Sequence, residues 1–171
     1  MPDVFTKAKR SEVMSRIRGR GNKDTELALA RSLRQHGIKG WRRHFVLKFK
    51  VRGSKFPPSH GFGAASKVRG SLRPARREPR PTGRVTPDFV FRQVRLAIFV
   101  DGCFWHGCPK HATKPANNRA FWKKKLAGNK TRDRVVNQTL RRAGWRVLRI
   151  WECDLAKHPE TCVHRIQRAM R

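Results

Sequence analysis

The stretch Phe99-Val-Asp-Gly-Cys-Phe-Trp-His-Gly-Cys-Pro-Lys-His111 concentrates more committed chemistry than any other part of the chain. Two cysteines, two histidines and a carboxylate surround a Phe-Trp pair, directly behind the apolar run Leu96-Ala-Ile-Phe-Val100. Such a run reads as a buried strand. Asp101 then falls at the C-terminal end of that strand, where α/β folds tend to place their chemistry. Cys103, Cys108 and His111 have the spacing of metal ligands on a tight loop, and zinc sites of this kind often draw their last ligand from far along the chain. Cys153 follows a second expected strand, Trp145 to Trp151, and can supply that ligand. A purely structural zinc knuckle, with Phe104 and Trp105 as ordinary core, accounts for the same residues equally well.

Working outward, composition limits the partners. The 171 residues suffice for one domain with a proper core, and they carry 42 Lys and Arg against 11 Asp and Glu, a formal charge of +31. A compact body so basic repels itself unless a polyanion is near, which points to nucleic acid and away from a merely solvated surface. No apolar run approaches the roughly 18 residues of a membrane span. The N-terminus lacks a signal-peptide pattern, so a reducing interior is expected, the cytoplasm of a cell whose DNA lies in it. There the four cysteines suit metal better than disulfides.

Upstream, Ser11 to Arg18 suggests a short basic helix with Val13, Met14 and Ile17 on one face, suited to docking on the core or against a nucleic-acid groove. A clearer helix is capped by Asp24 or Thr25, buries Leu27, Leu29, Ala30 and Leu33, and ends at Gly37. Glu26 sits in its first turn, favourably for the helix dipole. Arg43 to Leu47 reads as a strand. From Lys48 to Thr86 eleven Lys and Arg face one Glu, and five of the ten prolines gather there. That composition predicts a disordered or loosely held basic insertion.

Order is expected to resume at Pro87-Asp-Phe-Val-Phe91, which should pair with Leu96–Val100 as a hairpin turning near Gln93. Asp88 and Asp101 would then approach each other, and two carboxylates at a sheet edge can hold a divalent cation against a phosphodiester, though many ordinary hairpins carry two aspartates. Asn118 to Leu126 reads as a helix in which Phe121 and Trp122 stand among basic residues, a pattern suited to stacking on bases. Of these two, Phe121 is the better candidate for core, with Leu126. Further helices are expected over Lys130–Ala143 and from Pro159 to about Met170, with Cys162 a free thiol beside the latter's buried stripe. No internal repeat is apparent.

This order of elements outlines a restriction-endonuclease-like (PD-(D/E)xK) α/β core, a mixed sheet flanked by helices with a structural zinc site. The resemblance goes further. Phe99 to Cys108, Pro87-Asp-Phe89, Gly144 to Leu148, Trp151-Glu-Cys153 and the opening Arg10-Ser-Glu-Val-Met-Ser-Arg-Ile17 resemble the very-short-patch repair endonucleases. The likeness covers nearly the whole chain outside the 48–86 insertion.

That resemblance implies a DNA mismatch endonuclease that nicks the strand carrying thymine at T·G mismatches left by 5-methylcytosine deamination. It implies that Asp88 is the main magnesium ligand, assisted by the backbone carbonyl of Val100. His106 would be general base or water-orienting group, and Glu26 would support the metal-bound water. Asp101 stands where the family's best-known form has histidine, which opens the division of labour between Asp101 and His106. The structural zinc would be held by Cys103, Cys108, His111 and Cys153, with His111 taken because Gly107 replaces the alternative. Phe104, Trp105 and Trp122 match aromatics that wedge beside the mismatch, with Met14, in a DNA-contacting segment 1–20, approaching from the minor groove. Mismatch-repair proteins and a repair DNA polymerase are implied as partners, and a monomer is expected. The rival is a zinc-stabilised module that binds nucleic acid without cutting it, its site blocked by the insertion.

Overall fold

The structure, a computed structural model, describes residues 12, 25–49, 83–111 and 118–171. Met14, most of the 1–20 segment and residues 50–82 of the insertion lie outside the described residues. In chain order the described elements are α1 (Glu26–Gln35), β1 (Trp41–Arg43), β2 (Leu47–Lys48), β3 (Arg84–Val85), β4 (Phe89–Phe91), β5 (Leu96–Asp101), α2 (Cys103–His106), α3 (Arg119–Arg142), β6 (Arg146–Trp151), α4 (Glu152–Lys157) and α5 (Pro159–Met170).

Alternation along the strands decides the layers. Phe89, Phe91, Leu96, Ile98 and Ile150 share one core with Leu29, Ala30 and Leu33 of α1 and Val163 and Ile166 of α5. The intervening Val90 and Ala97 turn the other way, onto Leu140 of α3 with Val136, Phe99 and Val147 around them. The result is a sheet with α1 and α5 on one face and α3 on the other, as the period of two in a strand requires. Each fully buried Leu, Ile or Phe contributes about 1.5–3 kcal/mol to this arrangement.

The four-stranded sheet has the order β1-β4-β5-β6. β1 pairs with β4 and β4 with β5 antiparallel, while β5 and β6 run parallel over six residue pairs, from Leu96↔Arg146 to Asp101↔Trp151. The sheet is therefore mixed, and α2 and α3 form the crossover between its parallel strands. The expected hairpin is present, with Phe89 opposite Ile98 and a turn over Arg92–Arg95.

Three expectations are corrected. The strand expected over Arg43–Leu47 is broken at His44, whose φ of 50° cannot continue an extended strand, so Trp41–Arg43 joins the main sheet and Leu47–Lys48 leaves it. Leu47 and Lys48 pair instead with Val85 and Arg84, and the Phe49 amide donates to Gly83 O at 2.6 Å, a two-stranded stem that closes the base of the insertion. The two helices expected between 118 and 143 are one 24-residue helix, α3. Gly128 interrupts it at a cost of only about 1 kcal/mol, too little to break a helix packed on a sheet. Phe121, expected in the core, is 57% exposed on the first turn of that helix.

Candidate functional site

The described chemistry collects around the C-terminal end of β5. On the α1 side, the ligand atoms of Glu26, His44 and Asp88 all lie within 4.8 Å of one another. Glu26 projects from the first turn of α1 and is 6% exposed. His44 Nε2 and Arg43 Nη2 each lie 2.8 Å from its Oε2. Asp88 precedes β4, and its Oδ2 accepts the Val100 amide at 2.8 Å. The contact joining Asp88 to Val100 thus runs through the amide of the residue whose carbonyl was the expected ligand. Burial lifts the Asp88 carboxyl to about 6, against the lowering effect of that amide, and the negative charge of Glu26 adds to the rise.

On the α3 side, strand parity places Asp101 and Arg149 on the face that α3 covers. Asp101 is 3% exposed, and Arg149 Nη1 donates to both its oxygens, at 2.8 and 2.9 Å. The same guanidinium donates from Nη2 to Asp133 Oδ1 at 3.1 Å and from Nε to Asn137 Oδ1 at 3.2 Å, and it stacks on Phe99. Burial raises the Asp101 carboxyl in spite of Arg149. Asp133 is held below its ordinary value: burial opposes this, but the hydrogen bond with His106 and the charge of Arg149 outweigh it.

His106 ends α2, and its Nδ1 lies 2.6 Å from Asp133 Oδ2 and 3.6 Å from Asp101 Oδ1. An imidazole facing a carboxylate this closely donates from Nδ1. The short helix is fixed from several sides. The Cys103 amide donates to Glu152 Oε2 at 3.1 Å, and the buried Asn129 of α3 donates to Trp105 O at 2.9 Å. Gly107 caps it at φ 65°, a left-handed backbone that calls for glycine, while the only atoms a Cβ would crowd are the movable tip of Lys130.

Cys103, Cys108, His111 and Cys153 form the second cluster, their ligand atoms also within 4.8 Å of one another. Cys108 Sγ lies 3.8 Å from Cys153 Sγ and 3.9 Å from His111 Nδ1, and all four cysteines are free thiols. Cys153 reaches the cluster from α4, rather than from a loop. Burial pushes the Cys103 thiol up to about 12. In Cys108 burial acts the same way, but hydrogen bonds from His111 and from the Lys110 and His111 amides take the thiol down to about 6.

Beside this cluster the aromatics meet. Phe104 packs edge-on against both Trp105 and Trp122, with ring centroids at 5.0 and 5.3 Å, and Phe121 extends the group outward from Trp122. The structure gathers Glu26 and Asp88, the four Cys and His candidates, and Phe104, Trp105 and Trp122 into three groups, but it sets Asp101, expected to share a cation with Asp88, apart with His106 in the network of Arg149. It adds His44, Asp133 and Arg149, which were not singled out. Asp133 alone left a usable trace: it is the one acidic residue of a helix carrying nine Lys and Arg.

These features define a class: a basic α/β protein with a three-donor carboxylate–imidazole cluster and a four-donor Cys3His cluster at one sheet end. Residues 76–113 match the family described as DNA mismatch endonuclease Vsr. The Type II nicking enzyme V.NmeAIP of Neisseria meningitidis serogroup A is 31% identical over 174 residues, covering 100% of this chain and 96% of that protein. The DNA mismatch endonuclease Vsr of Escherichia coli strain K12 is 40% identical over 96 residues, 56% of this chain and 55% of its own length. The Type II nicking enzyme V.NaeI of Lentzea aerocolonigenes is 55% identical over 69 residues, 40% of this chain and 42% of its own. The chain belongs to the Vsr family. Against several of these relatives the match spans about half of their length. Among the described residues, no helix is long and apolar enough to cross a membrane.

Proposed function

We propose that this protein is a divalent-cation-dependent DNA endonuclease of restriction-endonuclease-like (PD-(D/E)xK) core that nicks 5′ of the thymine in T·G mismatches. The observation that carries the reading is a cation-type cluster around Asp88 and, linked to it through the charge of Asp101, an imidazole oriented by a carboxylate. A chain of +31 charge supplies the affinity for a polyanion.

Asp88 and Glu26 fit a divalent cation, because a carboxyl lifted to about 6 by burial and by a second carboxylate gains most from a positive ion between them. A bound magnesium would act as Lewis acid on the phosphate and stabilise the departing oxygen. His106 takes the proton of the attacking water on Nε2, with Asp133 fixing its ring and tautomer through Nδ1. Arg149 holds Asp133 and Asp101 in place, so Asp101 is a positioning residue while His106 carries the acid–base work.

The Cys3His cluster fits zinc. Bonds of about 2.3 Å in a tetrahedron set sulfurs about 3.8 Å apart, against a disulfide's ~2.05 Å. The 3.8 Å between Cys108 and Cys153 suits the former. With four protein donors such an ion has no open position, and its task is to pin α2, which carries His106, Phe104 and Trp105. These two aromatics with Trp122 wedge beside the mismatch, where unstacking costs less than at a paired step. The nick would pass to mismatch-repair proteins and a repair polymerase.

The test is nicking of end-labelled duplexes carrying T·G or T·A, with magnesium or with none added. Nicks should appear 5′ of the mismatched thymine only, and Asp88→Ala should slow them by at least about 10³-fold, since a Lewis acid supplies several kcal/mol. Tight binding of mismatched duplex with no nick would instead favour a binding module.

A further inference from the structure

His44 occupies a conformation that an ordinary ion pair does not require. Its backbone is left-handed, with φ at 50°, a region that costs a residue with a Cβ about 1 kcal/mol or more. It is held there from both ends: its amide donates to the Asp88 carbonyl at 3.2 Å, and its Nε2 lies 2.8 Å from Glu26 Oε2. Arg43 already lies 2.8 Å from the same Glu26 oxygen, so the carboxylate has a full positive charge beside it without the imidazole. What His44 adds is a nitrogen donor, 3.4 Å from Arg43 Nη2 and within 4.8 Å of an oxygen of each carboxylate. The three groups come from α1, from the end of β1 and from the approach to β4, and their donor atoms fall within 4.8 Å of one another.

We infer that His44 is a direct ligand of the cation held by Asp88 and Glu26, so that this site takes an imidazole-accepting divalent transition ion such as Mn2+ more tightly than Mg2+. The inference rests on the reading of Asp88 as a cation ligand. Mg2+ prefers an all-oxygen octahedral shell and keeps its waters, whereas one imidazole with two carboxylates suits first-row transition ions. Without the ion Nε2 donates its proton to Glu26; binding releases that proton to solvent and gives the Nε2 lone pair to the ion, the neutral ring carrying its proton on Nδ1. The geometry at φ 50° is then the means of aiming that nitrogen, and the contact to the Asp88 carbonyl ties its position to the main carboxylate.

The experiment uses full-length protein with its Cys3His cluster loaded with zinc, titrated with Mn2+ and followed by continuous-wave and pulsed electron paramagnetic resonance. Bound Mn2+ should show coupling to a 14N nucleus, replaced by 15N coupling when the histidines are 15N-labelled, a readout that needs no variant. His44→Asn removes the imidazole yet tolerates the left-handed backbone. It should abolish the nitrogen coupling and weaken Mn2+ by at least about tenfold, with Mg2+ (read by competition) affected less. Mn2+ that binds in wild type and is lost in Asp88→Asn, but shows no nitrogen coupling, would overturn the role of His44 alone. Coupling that survives His44→Asn would do the same. Mn2+ binding indifferent to Asp88→Asn would overturn the cation site itself.

Discussion

The two clusters at the end of the sheet are built on opposite plans. Cys103, Cys108 and His111 come from one short stretch, and only Cys153 is brought from afar. Glu26, His44 and Asp88 come from three separate segments and offer oxygen, nitrogen and oxygen. The first plan closes four soft donors around a point and leaves nothing for a substrate. The second supplies three donors, one fewer than the first. A closed set can stabilise but cannot react, and an open set can bind a phosphate but is a poor staple. On the proposed reading, the closed cluster positions α2, whose His106 acts with the other.

The sharpest way to break this division is to disable the closed cluster. Cys153→Ser removes the one ligand supplied from outside the loop, and it should reduce bound zinc from about one equivalent to well below it. Structural zinc contributes on the order of 10 kcal/mol where it is the whole core. A fold with its own packed sheet should lose less, about 3–5 kcal/mol, read as a lower urea midpoint together with metal content. Nicking should fall with it, because α2 would no longer be pinned. Full zinc content in the variant would overturn the ligand set.

The same contrast explains what could be seen in the sequence. The Cys3His set was legible because local spacing nearly completes it, and strand β5 because its apolar run is unbroken. The hairpin pointed to Asp88 but paired it with Asp101, and Glu26 could be named for the site only through the family resemblance. His44 was invisible: it stood inside an expected strand, and its role depends on a left-handed φ set by a contact with Asp88. Arg149 looked like one more strand residue, since nothing in Arg146–Trp151 announces that its guanidinium serves Asp101, Asp133 and Asn137 together. Helix α3 was read as two, Asn118–Leu126 and Lys130–Ala143, because nothing local shows the sheet that holds it as one. Local chemistry shows in a sequence, but convergence across segments does not.

A smaller effect separates positioning from ligation. Asp133→Asn keeps the shape beside His106 but lets the ring adopt the other tautomer, so Nε2 no longer points a lone pair outward. The turnover rate should fall by about 10²-fold with KM nearly unchanged, the usual range for a positioned base. Cation affinity should be untouched, because Asp133 belongs to neither cluster. An Asp133→Asn protein that lost zinc or the divalent cation would show that the α3 network is part of the scaffold, and the division between the two plans would fail there.

The smallest effect is on stability, and its sign discriminates. Burial raises the Asp88 carboxyl to about 6, so between roughly pH 4 and pH 6 the folded chain keeps a proton that the unfolded chain has released. Folding is then opposed as that proton leaves. Without added divalent cation, stability should therefore fall as pH rises through this window and level off above it, by on the order of 2 kcal/mol relative to Asp88→Asn. Asp133 has the opposite sign: its carboxyl lies below the ordinary value, and its contribution is lost only as pH falls below about 4. Urea unfolding of wild type and Asp88→Asn across pH 4 to 7 isolates the difference. A wild type that gained stability relative to Asp88→Asn over that range would show a carboxylate satisfied by its hydrogen bond from Val100. One that lost it, and regained it on adding divalent cation, would show a carboxylate buried in readiness for a positive ion.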